Sequence, residues 1–299
     1  MDTIDERRAI IQPIAKGWYS QQVAALDVLR LDLLHPIISG NKWFKLRLNI
    51  RHAIDGGFKT IVTFGGGFSN HLIATAYAAK MFGIKSIGIV RGRYDVLTPT
   101  LVDCKNAGME LIFVSKEEYE QKEDTVWIRK LASHFDELFI IPEGGANEWG
   151  RVGAGLIDRF IGHDYTHIAL SVGTGTTLTG LRNKLDNKHQ MLGFVPMKQG
   201  AYLKEHIAEH LHTDKNTNWQ LFDNWHFGGF GTWNDDLLQF MNAFYRTTNI
   251  PLDIVYTSKM MYGIKQLLAN DFFPPDARIL CIHTGGLRGN VSVKDRLIY

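Results

Sequence analysis

Lys42, in the stretch HPIISGNKWFKLRLNI at residues 35–50, has the residue type and setting for covalent chemistry. A Gly-Asn turn presents it, and the residues after it read as a helix start. Apolar neighbours Ile38, Trp43 and Phe44 offer partial burial, which lowers a lysine's affinity for protons and makes its amine a Schiff-base former. The alternative is an exposed structural lysine at a helix N-terminus. The stretch TFGGGFSNHLIATAYAAK at 63–80 is a strand end, three glycines, and then Ser69, Asn70 and His71 in the first turn of a helix. Free N–H groups there favour an anion such as a carboxylate, and Asn70 can bond a hydroxyl. Ser69 or Asn70 acting only as a helix cap accounts for the same residues.

A third segment, SVGTGTTLTGL at 171–181, is a strand followed by a Gly/Thr-rich loop and a helical pattern. Glycines permit the turn, several N–H groups converge, and Thr174, Thr176 and Thr177 add hydroxyls, which suits phosphate better than a plain strand-to-helix turn. No Gly-Lys-Ser/Thr follows, and Leu178 stands where the dinucleotide fingerprint requires glycine, so neither nucleotide loop is complete. Two later segments are DIVYTSKMMYGIKQLL at 253–268 and CIHTGGLRGN at 281–290. Tyr256 is a candidate acid/base there, with a packed amphipathic tyrosine as the alternative. Thr257 and Thr284 are neutral hydrogen-bonding groups.

The elements that position these residues follow a repeating rhythm. Strands are expected at 60–64, 86–90, 110–114 and 138–141, with helices at 70–82, 98–107, 116–134 and after Asn147. Further strands are expected at 166–172, 191–195 and 278–284. Short apolar β-rich runs alternating with helical patterns are the βαβ signature of parallel sheets covered by helices, here in two α/β units. Many of the 29 glycines follow predicted strands, where ligands bind in such sheets.

Bulk properties agree with a globular enzyme-sized chain. Hydrophobic residues make up 45% of the 299 and charged residues 21%. No apolar run approaches the roughly 18 residues of a membrane span, and the N-terminus MDTIDERRAI lacks a secretory pattern, so a cytoplasmic location is the expectation. The net charge of +2 comes without a basic block, which argues against nucleic acid. Cys104 and Cys281 lie far apart in apolar settings, as reduced buried thiols do. The twelve histidines show no zinc-type spacing, so no metal is expected.

Taken in order, SGNKWFKL, GGGFSNH, PEGGAN at 142–147, GTGTTLTGL, VYTSKMMYG and HTGGL resemble one family across residues 29–289. It is the 1-aminocyclopropane-1-carboxylate deaminase and D-cysteine desulfhydrase family of pyridoxal-phosphate enzymes. The resemblance implies the tryptophan synthase β-like fold, fold type II, with two open twisted parallel-sheet domains. The small domain would comprise residues 46–155 and the large one residues 1–45 plus 156–299, with pyridoxal phosphate in the cleft. It further implies that Lys42 carries the cofactor as a Schiff base, that Lys45 lies near its phosphate, and that Asn70 bonds its ring hydroxyl. Gly173, Thr174, Gly175, Thr176 and Thr177 would hold the phosphate, and Thr257 and Thr284 would lie near the ring. Ser69, Asn70, His71 and Phe230 would meet a small amino-acid substrate, with Ser69 and Tyr256 assisting Lys42 in catalysis. A homodimer is expected because the family generally forms one.

The deaminases of that family typically carry Glu at the position of Thr257 and Leu at that of Thr284. A carboxylate beside the pyridine nitrogen favours its protonated form and a deeper electron sink. Two threonines therefore resemble the D-cysteine desulfhydrase pattern, whose thiol leaving group demands less. Two departures stand against either namesake: Phe230-Gly231 replaces a common Tyr-Gly pair, and Phe44 stands where arginine is common. A deaminase, a dehydratase of serine-like amino acids and a non-catalytic cofactor-binding paralogue remain the alternatives.

Overall fold

The computed structural model describes residues 4–19, 23–198 and 200–299. The chain opens with strand β1 (Ile11–Pro13), antiparallel to β2 (Ala25–Arg30), and helix α1 (Asn41–Asp55) leads away from them. A first series follows: β3 (Thr60–Gly66), α2 (Asn70–Phe82), β4 (Lys85–Arg91), α3 (Pro99–Asn106), β5 (Met109–Val114), α4 (Lys116–Tyr119), α5 (Thr125–Leu131), β6 (Leu138–Ile140) and α6 (Glu148–Gly155). The second series is β7 (His167–Ser171), α7 (Thr176–Lys184), β8 (Gln190–Phe194), α8 (Tyr202–Ala208), β9 (Trp219–Phe222), α9 (Asp235–Thr248), α10 (Thr257–Ala269) and β10 (Arg278–His283).

Two sheets result. One is all parallel in the order β5-β4-β3-β6; the other runs β1-β2-β10-β7-β8-β9 and is parallel except at β1. Burial on both faces explains the unbroken apolar runs that mark these strands. In β10, Leu280 and Ile282 join the core cluster beneath α1 and α7, while Ile279 and Cys281 join the one beneath α9 and α10. In β3, Ile61 packs toward α1 and α2, while Val62 and Phe64 face the layer of Tyr119 and Ile128. Both cysteines are free and buried, and burial raises the Cys104 thiol to about 12. No helix among the described residues is long and apolar enough to cross a membrane.

One expected helix is corrected. The stretch 116–134 divides into α4 and α5 because each carries its own start signal. Ser115 and Glu118 form a reciprocal capping box at α4, and the Asp124 side chain accepts from the N–H groups of Val126 and Trp127 to begin α5. Strands β1, β2 and β9 and helices α8 and α9 add to the elements expected from the sequence.

Candidate active site

Lys42, Ser69, Asn70, the 173–177 loop and Thr284 meet where the carboxyl ends of β3, β7 and β10 face one another, the usual ligand edge of such sheets. Gly40 starts the turn that presents Lys42. Its φ is +63°, and a Cβ there would lie 2.0 Å from the Thr284 carbonyl oxygen, so only glycine permits this contact with the end of β10. The Asn41 N–H donates to that same oxygen at 3.3 Å. Lys42 is thereby pinned at the root of α1.

Lys42 retains some accessible surface although protein encloses it, as a side chain on a cleft floor does. Burial lowers its pKa from 10.5 to about 8, against an opposing pull from the Asp253 carboxylate. Its Nζ donates to Asn41 Oδ1 at 2.9 Å, and Asn41 Nδ2 donates to Thr177 Oγ1 at 2.8 Å. The lysine is thus linked through one side chain to the 173–177 loop. Lys45, one helical turn on, is buried and donates to the Gly144 carbonyl at 2.7 Å. Burial, and then the neighbouring Lys42, holds its pKa well below the usual lysine value.

The loop completes this corner. A Cβ on Gly144 would meet the Thr174 side chain at 2.8 Å, so Lys45 and Thr174 border the same glycine. Thr174 and Thr176 share a hydroxyl hydrogen bond of 2.8 Å, and Gly175 takes φ +79° at the N-terminus of α7. Neither Lys42 nor Lys45 has a carboxylate ion-pair partner among the described residues. Two enclosed amines, neither in ion-pair contact with a carboxylate, beside hydroxyls and a helix N-terminus, suit a multiply charged anion joined to an aldehyde. That donor set fits pyridoxal phosphate.

Across the cleft, Ser69 caps α2 through its Oγ, which accepts from the Leu72 N–H at 3.2 Å. Asn70 Nδ2 approaches Gly286, the far wall. His71 lies deeper, 3% exposed, behind Lys45 and Gly145 and away from the open cleft. The Thr63 hydroxyl donates to the Ile141 carbonyl, so the 2.8 Å contact with His71 Nε2 requires the imidazole to donate there. His71 Nδ1 is therefore a bare acceptor, and it has no hydrogen-bond partner. Burial, then Lys45 and Lys42, keeps this ring neutral.

Tyr256 closes the cleft from the α10 side, its ring 3.5 Å from where a Gly173 Cβ would lie. Burial and the Asp253 charge push its pKa well above the usual tyrosine value, so the phenol stays protonated and is a donor, not a base. Phe230 stands at the rim, 57% exposed, with its ring edge-on to Tyr256 at 5.8 Å. Thr257 is fully buried and donates its hydroxyl to Asp253 Oδ2 at 2.7 Å. Thr284 is also buried and meets the lysine turn through its backbone. Phe44 is committed to the core, where the Arg159 guanidinium lies over its ring.

Two residues of this region were absent from the sequence reading. Asp253 is fully buried and accepts from the N–H groups of Val255, Tyr256 and Thr257 as well as the Thr257 hydroxyl. Its signal was an aspartate just ahead of a helix start. Lys259 is buried and donates to the carbonyls of Pro196, His226 and Gly229, holding the loop that carries Phe230. A mid-helix lysine gives no such signal. Chemistry, not a hollow, marks the site: one hollow of about 430 Å³ lies elsewhere, among Lys59, Lys85, His134 and Glu137.

A family model of pyridoxal-phosphate dependent enzymes matches residues 21–285. The chain belongs to that family. Two relatives named "Putative 1-aminocyclopropane-1-carboxylate deaminase" match this pyridoxal-phosphate dependent enzyme along most of its length. The protein of Thermotoga maritima is 29% identical over 91% of both chains. That of Pyrococcus horikoshii is 29% identical over 93% of this chain and 90% of its own. A solved structure of an ACC deaminase homologue superposes with a TM-score of 0.85 at 25% identity, covering 99% of this chain and 94% of that one. The two-sheet architecture is thus the fold type II architecture of the family.

Proposed function

We propose that the protein is a deaminating lyase that eliminates a β-leaving group from a small amino acid, most like D-cysteine desulfhydrase, giving a 2-oxo acid, ammonia and sulfide. The observation that carries the reading is the pair of enclosed amines, Lys42 and Lys45, neither in a carboxylate ion pair, flanked by the threonine loop. Lys42 would hold the cofactor covalently, Lys45 and residues 173–177 would hold its phosphate, and Asn70 would lie beside its ring hydroxyl. Bound there, pyridoxal phosphate supplies an electron sink for the substrate's α-carbon.

The protein's own groups do the rest. The free first-turn N–H groups of α2 receive the substrate carboxylate beside Ser69. The free Lys42 amine, with a pKa near 8, suits removal of the substrate's α-proton at neutral pH. Tyr256, held protonated, donates toward the departing group. Neutral Thr257 and Thr284, in place of Glu and Leu, favour a good leaving group over ring opening. Domain limits at 45/46 and 155/156, a homodimer and a cytoplasmic setting belong to the same proposal.

Borohydride reduction of the purified protein and peptide mapping test the attachment: a visible band and a pyridoxyl group on Lys42 are expected, and Lys42→Ala is expected to lose both the band and turnover. A colourless protein after incubation with the cofactor, or a label on another residue, overturns it. The names of the relatives favour a second reading, opening of 1-aminocyclopropane-1-carboxylate. Assays of 2-oxo acid, ammonia and sulfide with that compound, D- and L-cysteine and D- and L-serine separate the two; a colour-bearing protein that turns over none of them is a non-catalytic paralogue.

A further inference from the structure

The last turn of α8 and the turn after it, packed on the outer side of Gly175, carry the sequence His206-Ile207-Ala208-Glu209-His210. Residues three and four apart share one face of a helix. Helical hydrogen bonding continues through the last of them, with Glu209 N–H donating to Glu205 at 2.9 Å and His210 N–H to Ile207 at 3.0 Å. Two imidazoles and a carboxylate therefore stand side by side, and one ligand atom from each lies within 4.8 Å of the others. The expectation of no metal passed over this compact donor set, histidines at i and i+4 with an intervening glutamate, because it contains no cysteine and no long interval.

Several contacts prepare this face. His210 Nδ1 donates to the His206 carbonyl at 2.8 Å, which fixes its tautomer and leaves Nε2 as the lone-pair nitrogen. Ligating histidines are commonly held in this way through their second nitrogen. The His210 carbonyl accepts from Asn183 Nδ2 at 3.1 Å, and Asn183 Oδ1 accepts from the His212 N–H at 2.9 Å, so α7 grips the turn from both sides. Ile207, fully buried between the ligands, anchors the same turn in the core against Gly175. The backbone that carries the donors is thus held in place before any ion arrives, which limits the ordering cost of binding.

We propose that His206, Glu209 and His210 bind one divalent first-row transition ion of the Zn²⁺ and Cu²⁺ class, with its remaining positions open to water. Imidazole nitrogens select such ions over Mg²⁺ and Ca²⁺, which prefer all-oxygen sites. The site is independent of the reading of the cleft, because none of its ligands belongs to the cofactor-binding set.

The test is equilibrium dialysis of tag-free, chelator-washed holoenzyme against Zn²⁺, with the Cu²⁺ form examined by electron paramagnetic resonance. One ion per chain is expected, with nitrogen hyperfine structure, a raised melting temperature, and no competition from equimolar Mg²⁺. His206→Gln and His210→Gln are each expected to weaken binding about tenfold or more, while His212→Gln leaves it unchanged. Melting of the variants without metal verifies their folding, and the His206→Ala/His210→Ala pair provides a second construction of the same loss. Unchanged affinity in folded double variants, loss on His212→Gln, equal competition by Mg²⁺ or an absence of binding overturns the proposal.

Discussion

The acidity of Lys42 sets a measurable limit on how the apoprotein captures its cofactor. Only the neutral amine attacks an aldehyde, and burial places its pKa at about 8 instead of 10.5. At pH 7 that makes about 10% of the amine reactive, against about 0.03% for an ordinary lysine, a gain of roughly 300-fold. The rate of visible-band formation on mixing apoprotein with pyridoxal phosphate should therefore rise with pH and level off just above 8. The same shift has a stability counterpart. A lysine whose folded pKa lies below its unfolded value binds fewer protons in the native state, so stability rises with pH between about 8 and 10.5. Below 8 the apoprotein carries a cost of up to about 3 kcal/mol. Lys259, also lowered to about 8, titrates in the same window, so the Lys42 share is the difference between wild type and Lys42→Met in urea unfolding at pH 7 and 10. A capture rate still climbing tenfold per unit beyond pH 9, or a Lys42→Met apoprotein no more stable than wild type at pH 7, refutes the reasoning.

Lys259→Met removes three charge-assisted donors from the carbonyls of Pro196, His226 and Gly229. Relief of the buried charge offsets part of that loss, leaving a net destabilisation of about 2–3 kcal/mol by urea titration. Loosening of the Phe230 loop should also raise KM more than it lowers kcat; an unchanged KM contradicts a positioning role. Ser69→Ala removes the α2 cap and should cost about 1 kcal/mol, while Ser69→Gly costs less; equal melting temperatures for all three proteins refute the capping assignment. Arg182 is fully buried, and its guanidinium donates to the carbonyls of Leu185, Asp186 and His189 beyond α7. Arg182→Met should destabilise by about 3 kcal/mol in thermal unfolding, because those carbonyls lose their donor inside the fold; a loss below about 1 kcal/mol shows that water replaces it.

The parallel strands were legible because burial on both faces demands continuous apolar β-rich runs, as in TIVTF and SIGIV. β9 left no such trace: all four of its residues are only half-buried, and it exists because β8 offers a free edge. The break between α4 and α5 was written in Ser115 and Asp124, but the apolar periodicity on either side masked it. Helix α9 carries the Asn234 cap and an acidic first turn, ordinary start signals in a stretch without candidate chemistry. For the site, the turns holding Lys42, Ser69 and the 173–177 loop could be found from local composition. Their mutual arrangement could not, because it depends on contacts such as Gly40 on Thr284 and Asn41 on Thr177, which join distant parts of the chain. The burial of Asp253 and Lys259 has the same tertiary origin.

Asp253 changes what Thr257 can offer to a ligand. Read as a residue type, threonine is a neutral group that either donates or accepts. Here its hydrogen is directed to the Asp253 carboxylate, and one lone pair already accepts from the Asp253 N–H at 2.8 Å. The other lone pair remains, so toward any group in the cleft Thr257 acts as an acceptor backed by a buried negative charge. In the proposed reading that makes it a partial substitute for the glutamate of the deaminases: it favours a protonated ring nitrogen more than an isolated hydroxyl would, and less than a direct carboxylate does. Under that reading, a sink of intermediate depth would accord with expulsion of a thiolate.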